Sequence, residues 1–404
     1  MNSSNRCYRV VVCSLLLTLL FATVAAGQAP PADRRHSPPE PFRAVAPRGL
    51  GEQLAATAPA VTIYVETYGT DSSKCGTQRL PCRTIEYGIY RAQQVQPDPL
   101  MAVGYEELVT VQVGPGNYEQ QVVIGTADRI KLVGAGAGST IVTPSTGVVS
   151  GRIGMVVRGA GVIYVEGFTF SGPGTGVQID LGSTVWMRQC EFTGNSTGVA
   201  VLNATAIVHY VTFSNNGRAV LAFGNSVLQL SDFIISGGGT GVGIHVEGES
   251  SANLFSSTAP QGWYSPSQPA RVENVREGMS VESNGYASLY KIEFTGNEFG
   301  VAANGAAIES WESSLHNNTW GILLINSSRA ALYSTLANDN SSDGAIVLER
   351  SFLRTYGGEV TGNGNVGINL AMFSQAVIDP TTNVSGNGAG EIGADAYSAY
   401  IISP

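Results

Sequence analysis

GMVVRGAGVIYVEGFTFSGPGT (residues 154–175), GVQIDLGSTVWMRQCEFTGNST (176–197), GVAVLNATAIVHYVTFSNNGR (198–218) and AVLAFGNSVLQLSDFIISGGGT (219–240) are four versions of one phrase. Each opens on Gly or Ala plus an apolar residue, and most close on Phe and a small polar turn rich in Gly and Asn. The openings fall at Gly154, Gly176, Gly198, Ala219, Gly241, Gly278, Gly300, Gly321, Gly344, Gly367 and Gly390. Short alternating apolar runs recurring at 21 to 23 residues, with one step of 37, mark a solenoid. The long step places an insertion within about 256–277.

A three-strand coil of this length is a parallel β-helix, with coils stacked at the strand spacing of about 4.8 Å. The first strand of each phrase turns Met155/Val157, Val177/Ile179, Val199/Val201, Val220/Ala222, Val242/Ile244, Met279/Val281, Val301/Ala303 and Ile322/Leu324 inward. The late strand does the same with Phe168/Phe170, Cys190/Phe192, Val211/Phe213, Phe233/Ile235 and Ile292/Phe294. A one-residue slip would turn these stacks to water, so the register is well specified. A propeller needs a period near forty, and a leucine-rich repeat needs a Leu ladder; neither is present.

Around this repeat, only 13% of the 404 residues are charged and 50 are Gly, which suits strands and tight turns better than helices. The net charge of −9 offers no basic face for nucleic acid. Residues 1–27 read as a secretory signal: Arg6 and Arg9, the apolar run Val10–Phe21, then small residues to Gly27. No later stretch is long and apolar enough to span a bilayer as a helix. Residues 28–58 hold Pro and charge without periodicity and read as a linker. The β-helix domain is expected over 59–404, secreted or at the cell surface.

In an exported chain Cys75 and Cys82, in KCGTQRLPC, are expected to form a disulfide; a metal site would need more Cys or His nearby. Cys190 reads as a buried free thiol. Sequons stand at Asn195, Asn203, Asn317, Asn326, Asn340 and Asn383, candidate glycosylation sites in turns already rich in Asn.

Before the repeats, TIYVET reads as a strand and TIEYGIYRAQQ (Thr84–Gln94) as a helix capped by Thr84. Strand VTVQV, turn GPGNY, and strands EQQVVI and RIKLVG follow. This order, with GTDS, CGT and PCRTI before it and AGAGSTI after it, resembles the N-terminal coil of right-handed parallel β-helix, pectin-lyase-like proteins of the DUF1565 or polymorphic-outer-membrane type. The resemblance covers about 61–143 and implies an all-β, right-handed, single-stranded parallel β-helix whose short helix lies over the first coil. It implies no single activity, since relatives include enzymes, adhesins and surface proteins. Tyr397–Ile402 are the residues expected to cover the open C-terminal end.

Three surfaces are candidates for function. At the corner before the late strand, Tyr290, Trp311, Tyr333 and Tyr356 recur on four consecutive coils, and the insertion adds Trp263 and Tyr264. Aromatic faces pack on the C–H faces of sugars and polar tips bind hydroxyls, so an extended polysaccharide is the expected partner. The alternative is a lyase, hydrolase or epimerase, which the resemblance implies would place its acids and bases on or beside the first strand. His245, Glu247 and Glu282, with Arg271 and Arg276 of the insertion, are the candidate groups. No cofactor is expected, and calcium enters only for a lyase. Leu202, Leu221 and Phe223 form an outward apolar patch suited to self-association or another protein, as on a coat protein.

Overall fold

Phe170, Phe192 and Phe213 stand one above another inside the molecule, ring centroids 5.2 and 5.0 Å apart and planes within 15°. That spacing is the separation of hydrogen-bonded strands, so each ring belongs to one coil. The computed structural model describes residues 61–95, 108–125, 129–144, 152–159, 161–237, 239, 241–257 and 270–403. The expected signal, the linker and residues Trp263 and Tyr264 lie outside the described residues.

Three sheets run the length of the described coils. An opening sheet of 12 strands includes Ile153–Arg158 and Thr175–Asp180. A middle sheet of 14 strands runs from Thr62–Val65 to Ala399–Ile402. A late sheet of 9 strands runs from Gly116–Glu119 to Ser314–His316, and Leu336 bridges it to the pair Glu359–Thr361 and Asn383–Ser385. Pairing is parallel and in register, as in Val177↔Val199, Met187↔Val208 and Phe192↔Phe213. The expected inward pairs of both strands, Val242 excepted, lie in one continuous core.

Most phrases open on Gly because the next coil comes close. A Cβ at Gly176 would lie 2.6 Å from the Gly198 carbonyl oxygen, and one at Gly300 would lie 2.6 Å from that of Gly321. The expected opening at Gly241 is two residues early, since Ala219 stands opposite Gly243 and Val220 pairs with Ile244. Ile244 and Val246 are therefore the inward pair of that strand, and Val242 is half-exposed at its edge. The run GGGTGVG (237–243) offered several glycines, and the close approach of Gly243 to the Gly278 carbonyl selects the last. Likewise Val366 pairs with Gly390, which moves the final opening to Glu391.

An amide ladder in the turn between late and opening strands was not anticipated. Asn318 Nδ2 donates to the Phe294 carbonyl at 3.0 Å, its Oδ1 accepts the Asn297 N–H at 3.0 Å, and its own N–H goes to Asn340 Oδ1 at 3.0 Å. The pattern continues through Asn363 to Asn387. A shorter ladder joins Asn195 to Asn216. Between them the position is filled in one coil by buried Val275, whose N–H donates to Asn297 Oδ1 at 3.0 Å.

Helix α1 (Ile85–Gln93) closes the N-terminal end. Thr84 Oγ1 accepts the Tyr87 N–H at 3.1 Å, and Asp71 accepts the N–H groups of Arg83 and Thr84 at 2.7 and 3.1 Å. Ile85, Gly88, Ile89 and Ala92 are buried, and Gly88 fits so tightly that a Cβ would meet Val65 at 2.4 Å. Two expectations are corrected. The last three residues of GPGNY belong to a strand of the late sheet, Gly116–Glu119, because it pairs with Thr140–Thr143. Tyr397–Ile402 do not cover the last coil: Ala399–Ile402 is its final strand, with Tyr400 and Ile402 45% and 59% exposed.

Candidate functional site

The middle strands end at a corner where one side chain per coil faces out. Pairing puts Phe255, Tyr290, Trp311, Tyr333 and Tyr356 in one column. Trp311 and Tyr333 stack at 5.2 Å and 6°, and Tyr333 and Tyr356 at 4.6 Å and 1°. The four residues expected here are thus brought together in register, but the faces of Trp311, Tyr333 and Tyr356 cover one another. The stack presents ring edges and phenol hydroxyls rather than open faces. Trp311 is only 4% exposed and its indole N–H is buried with no partner among the described residues. Cations flank the column: Lys291 Nζ lies 5.0 Å from the Tyr290 ring and the Arg354 guanidinium 4.5 Å from that of Tyr356. Burial, then the neighbouring Tyr356 and Glu309, push the Tyr333 phenol above its ordinary value. One column inward, Tyr286 Oη donates to Glu309 Oε2 at 2.9 Å.

The same column continues toward the N-terminus as Glu166, Arg188, His209 and Ser231. His209 Nδ1 contacts Ser231 Oγ at 2.5 Å; burial, reinforced by the Arg188 charge, pulls the imidazole down to about 4. Asp232 accepts Ser257 N–H and Oγ–H, both at 2.8 Å, and burial raises its carboxyl. Tyr164 and Trp186 stack at 5.6 Å on the same face. These aromatics were passed over in the sequence because they sit mid-strand, where the period alone does not separate them from structural residues. Ser256 N–H donates to the Tyr290 carbonyl at 3.1 Å, so the chain enters the insertion beside the tyrosine column.

The expected acid–base group is divided. His245, Glu247 and Glu282 share the opening sheet: His245 Nε2 is 3.3 Å from Glu247 Oε2, Glu247 pairs with Glu282, and Ser280 Oγ donates to Glu282 at 2.9 Å. Arg271 instead lies on the late sheet, held by Glu293 at 2.7 Å and Glu273 at 3.4 Å. Arg276 pairs with Glu277 at 2.6 Å. Glu293 also takes a 2.9 Å contact from His316; burial alone would raise its carboxyl, but these partners hold it below the ordinary value. Leu202 and Phe223 are neighbours in register, with Leu221 beside them and Phe223 45% exposed.

Cys75 and Cys82 form the disulfide, which occupies the sulfurs grouped with Asp71. Cys190 is the buried free thiol, raised to about 11 by burial. Among the sequons, Asn203, Asn317, Asn326 and Asn383 are exposed. Asn195 and Asn340 are 2% and 1% exposed, their amides spent in the ladder, so a glycan there is incompatible with the folded coil.

Residues 132–268 match the family model described as right handed beta helix region. No curated protein is matched. Similar solved structures include the A-module of a mannuronan C-5 epimerase from Azotobacter vinelandii, at 14% identity over 79% of this chain and 96% of that one, TM-score 0.41. A periplasmic alginate epimerase is similar at 14% identity over 73% and 76%, TM-score 0.46. The catalytic domain of an α-1,3-glucanase is similar at 12% identity over 87% and 69%, TM-score 0.33. The matched segment and the coils on either side of it make the described chain a right-handed parallel β-helix.

Proposed function

We propose that this is a secreted protein that binds an extended extracellular or cell-wall polysaccharide along the outer face of the middle sheet. The observation that carries the reading is the single register column Tyr290, Trp311, Tyr333 and Tyr356. The phenols of Tyr290, Tyr333 and Tyr356, on coils spaced at about 4.8 Å, give a rail of donors and acceptors, with buried Trp311 filling the coil between Tyr290 and Tyr333. A polymer of repeating hydroxyls meets such a rail many times, each contact being weak alone. The Cys75–Cys82 disulfide supports an oxidising compartment.

Retention of the full chain on cellulose, chitin, pectin and alginate tests it. Binding to one matrix is expected, lost when all four residues become Ala. Tyr333→Phe with Tyr356→Phe, which removes only the hydroxyls, should weaken binding about fivefold or more. No retention on any matrix, or retention unchanged in the Ala variant, removes the proposal. A second reading, a polysaccharide lyase, hydrolase or epimerase, is favoured only by the adjacency of His245, Glu247 and Glu282. Turnover of any of the four polymers, with or without calcium, that vanishes in Glu282→Gln would establish it. A coat role through Leu202, Leu221 and Phe223 predicts a wild-type oligomer that Phe223→Asp dissociates, read by sizing chromatography.

A further inference from the structure

The turns leading from the opening to the middle sheet stack at the opposite edge of the middle sheet from the tyrosine corner. In lower coils the left-handed positions of these turns are Leu181–Gly182, Asn203, Gly224, Gly248–Glu249, Ser283–Asn284 and Gly305, each turn including a Gly or an Asn. In the C-terminal coils they hold Asn326–Ser327, Glu349–Arg350 and Met372–Phe373, all six residues at φ between 54° and 65°. Here the Cβ crowds the carbonyl, so Gly is favoured and Asn next; Asn-Gly is the natural occupant of such a pair. Glu349, Arg350, Met372 and Phe373 therefore stand where the backbone alone selects against them. Strain of this kind persists where the side chains have a use.

The same four residues, with Asn326 and Ser327, line a groove of ≈ 370 Å³. Its apolar side is Met372, 44% exposed, and Phe373, 60% exposed. The Phe373 ring packs on Tyr397, itself 71% exposed, at 5.1 Å. The carboxylate of Glu349 and the guanidinium of Arg350 have no side-chain partner among the described residues.

We propose that this groove binds a neutral saccharide of about two sugar rings. A sugar hydroxyl both donates to a carboxylate and accepts from a guanidinium, while the ring's C–H face packs on Phe373. Adjacent opposite charges leave no net charge to select an ion. The site is separate from the tyrosine corner, so either can fail without the other.

Titration calorimetry of the full chain with cellohexaose, chitohexaose and mannohexaose, and with oligogalacturonate as the anionic comparison, tests the proposal. Wild type should bind a neutral oligosaccharide. Met372→Asn with Phe373→Gly, and separately Glu349→Asn with Arg350→Gly, restore the favoured turn. Each should raise the melting temperature by about 1–3 °C and weaken binding at least about tenfold. Tyr333→Ala with Tyr356→Ala should leave this binding in place. Binding of none of the neutral oligosaccharides, binding of the anionic one alone, or undiminished affinity in both turn variants would overturn it.

Discussion

Asn318 shows how much one side chain does in this fold. Its amide ties its coil to the one before through the Phe294 carbonyl and the Asn297 N–H, while its backbone N–H goes on to Asn340 in the next. Asn318→Ala strands a carbonyl and an N–H with no water to replace the amide, so it should cost about 2–4 kcal/mol in urea unfolding. Glu298→Ala, at an exposed position next to ladder residue Asn297, should change stability by less than about 0.5 kcal/mol. His209 sets a pH dependence. Its folded value of about 4 lies below the ordinary 6.5, so between these values the unfolded chain holds more protons. Stability is therefore full above about pH 6.5 and falls as pH drops toward 4, by about 3 kcal/mol in total. His209→Gln should flatten that limb of a stability–pH curve. Glu293, held low, adds a loss at more acidic pH: its contribution is present above about pH 4.5 and disappears as pH falls through its folded value, and Glu293→Gln should remove it.

At the scale of the coil, the opening glycine is the tightest joint. Gly300→Ala sets a Cβ 2.6 Å from the Gly321 carbonyl, backbone that cannot swing aside, so the melting temperature should drop by several degrees; Ala303→Gly, a nearby inward position, should cost only about 1 kcal/mol. Calorimetry on the two variants separates close approach from simple loss of core. This joint also explains what the sequence disclosed. Phe170, Phe192 and Phe213 could be placed because both period and alternation apply to them. Gly243 could not be chosen over Gly241, because the contact that selects it belongs to the following coil. The tyrosine column was legible from spacing, whereas its face-to-face stacking and the burial of Trp311 were not, since side-chain packing carries no periodicity. Arg271 was grouped with His245 by proximity in sequence, but the middle strand Ser251–Phe255 intervenes, and Arg271 begins a strand of the late sheet while His245 lies on the opening sheet.

Across the whole molecule, stability is a sum over neighbouring coils, so damage stays local. Reducing Cys75–Cys82, which closes a seven-residue separation, should cost about 2.5 kcal/mol and raise hydrogen exchange only in the first coils under α1. The amide ladder has the opposite reach, since it ties coils together wherever it is continuous. It lapses between Asn216 and Asn297, where Val275 takes its place and the insertion departs. Mechanically, that lapse is a seam between two stiffer bars. Pulled from its two ends in a single-molecule force experiment, the chain should yield in two separate rips, the boundary falling near the seam. Replacing Asn318 and Asn340 with Ala should lower the force of one rip and leave the other where it was.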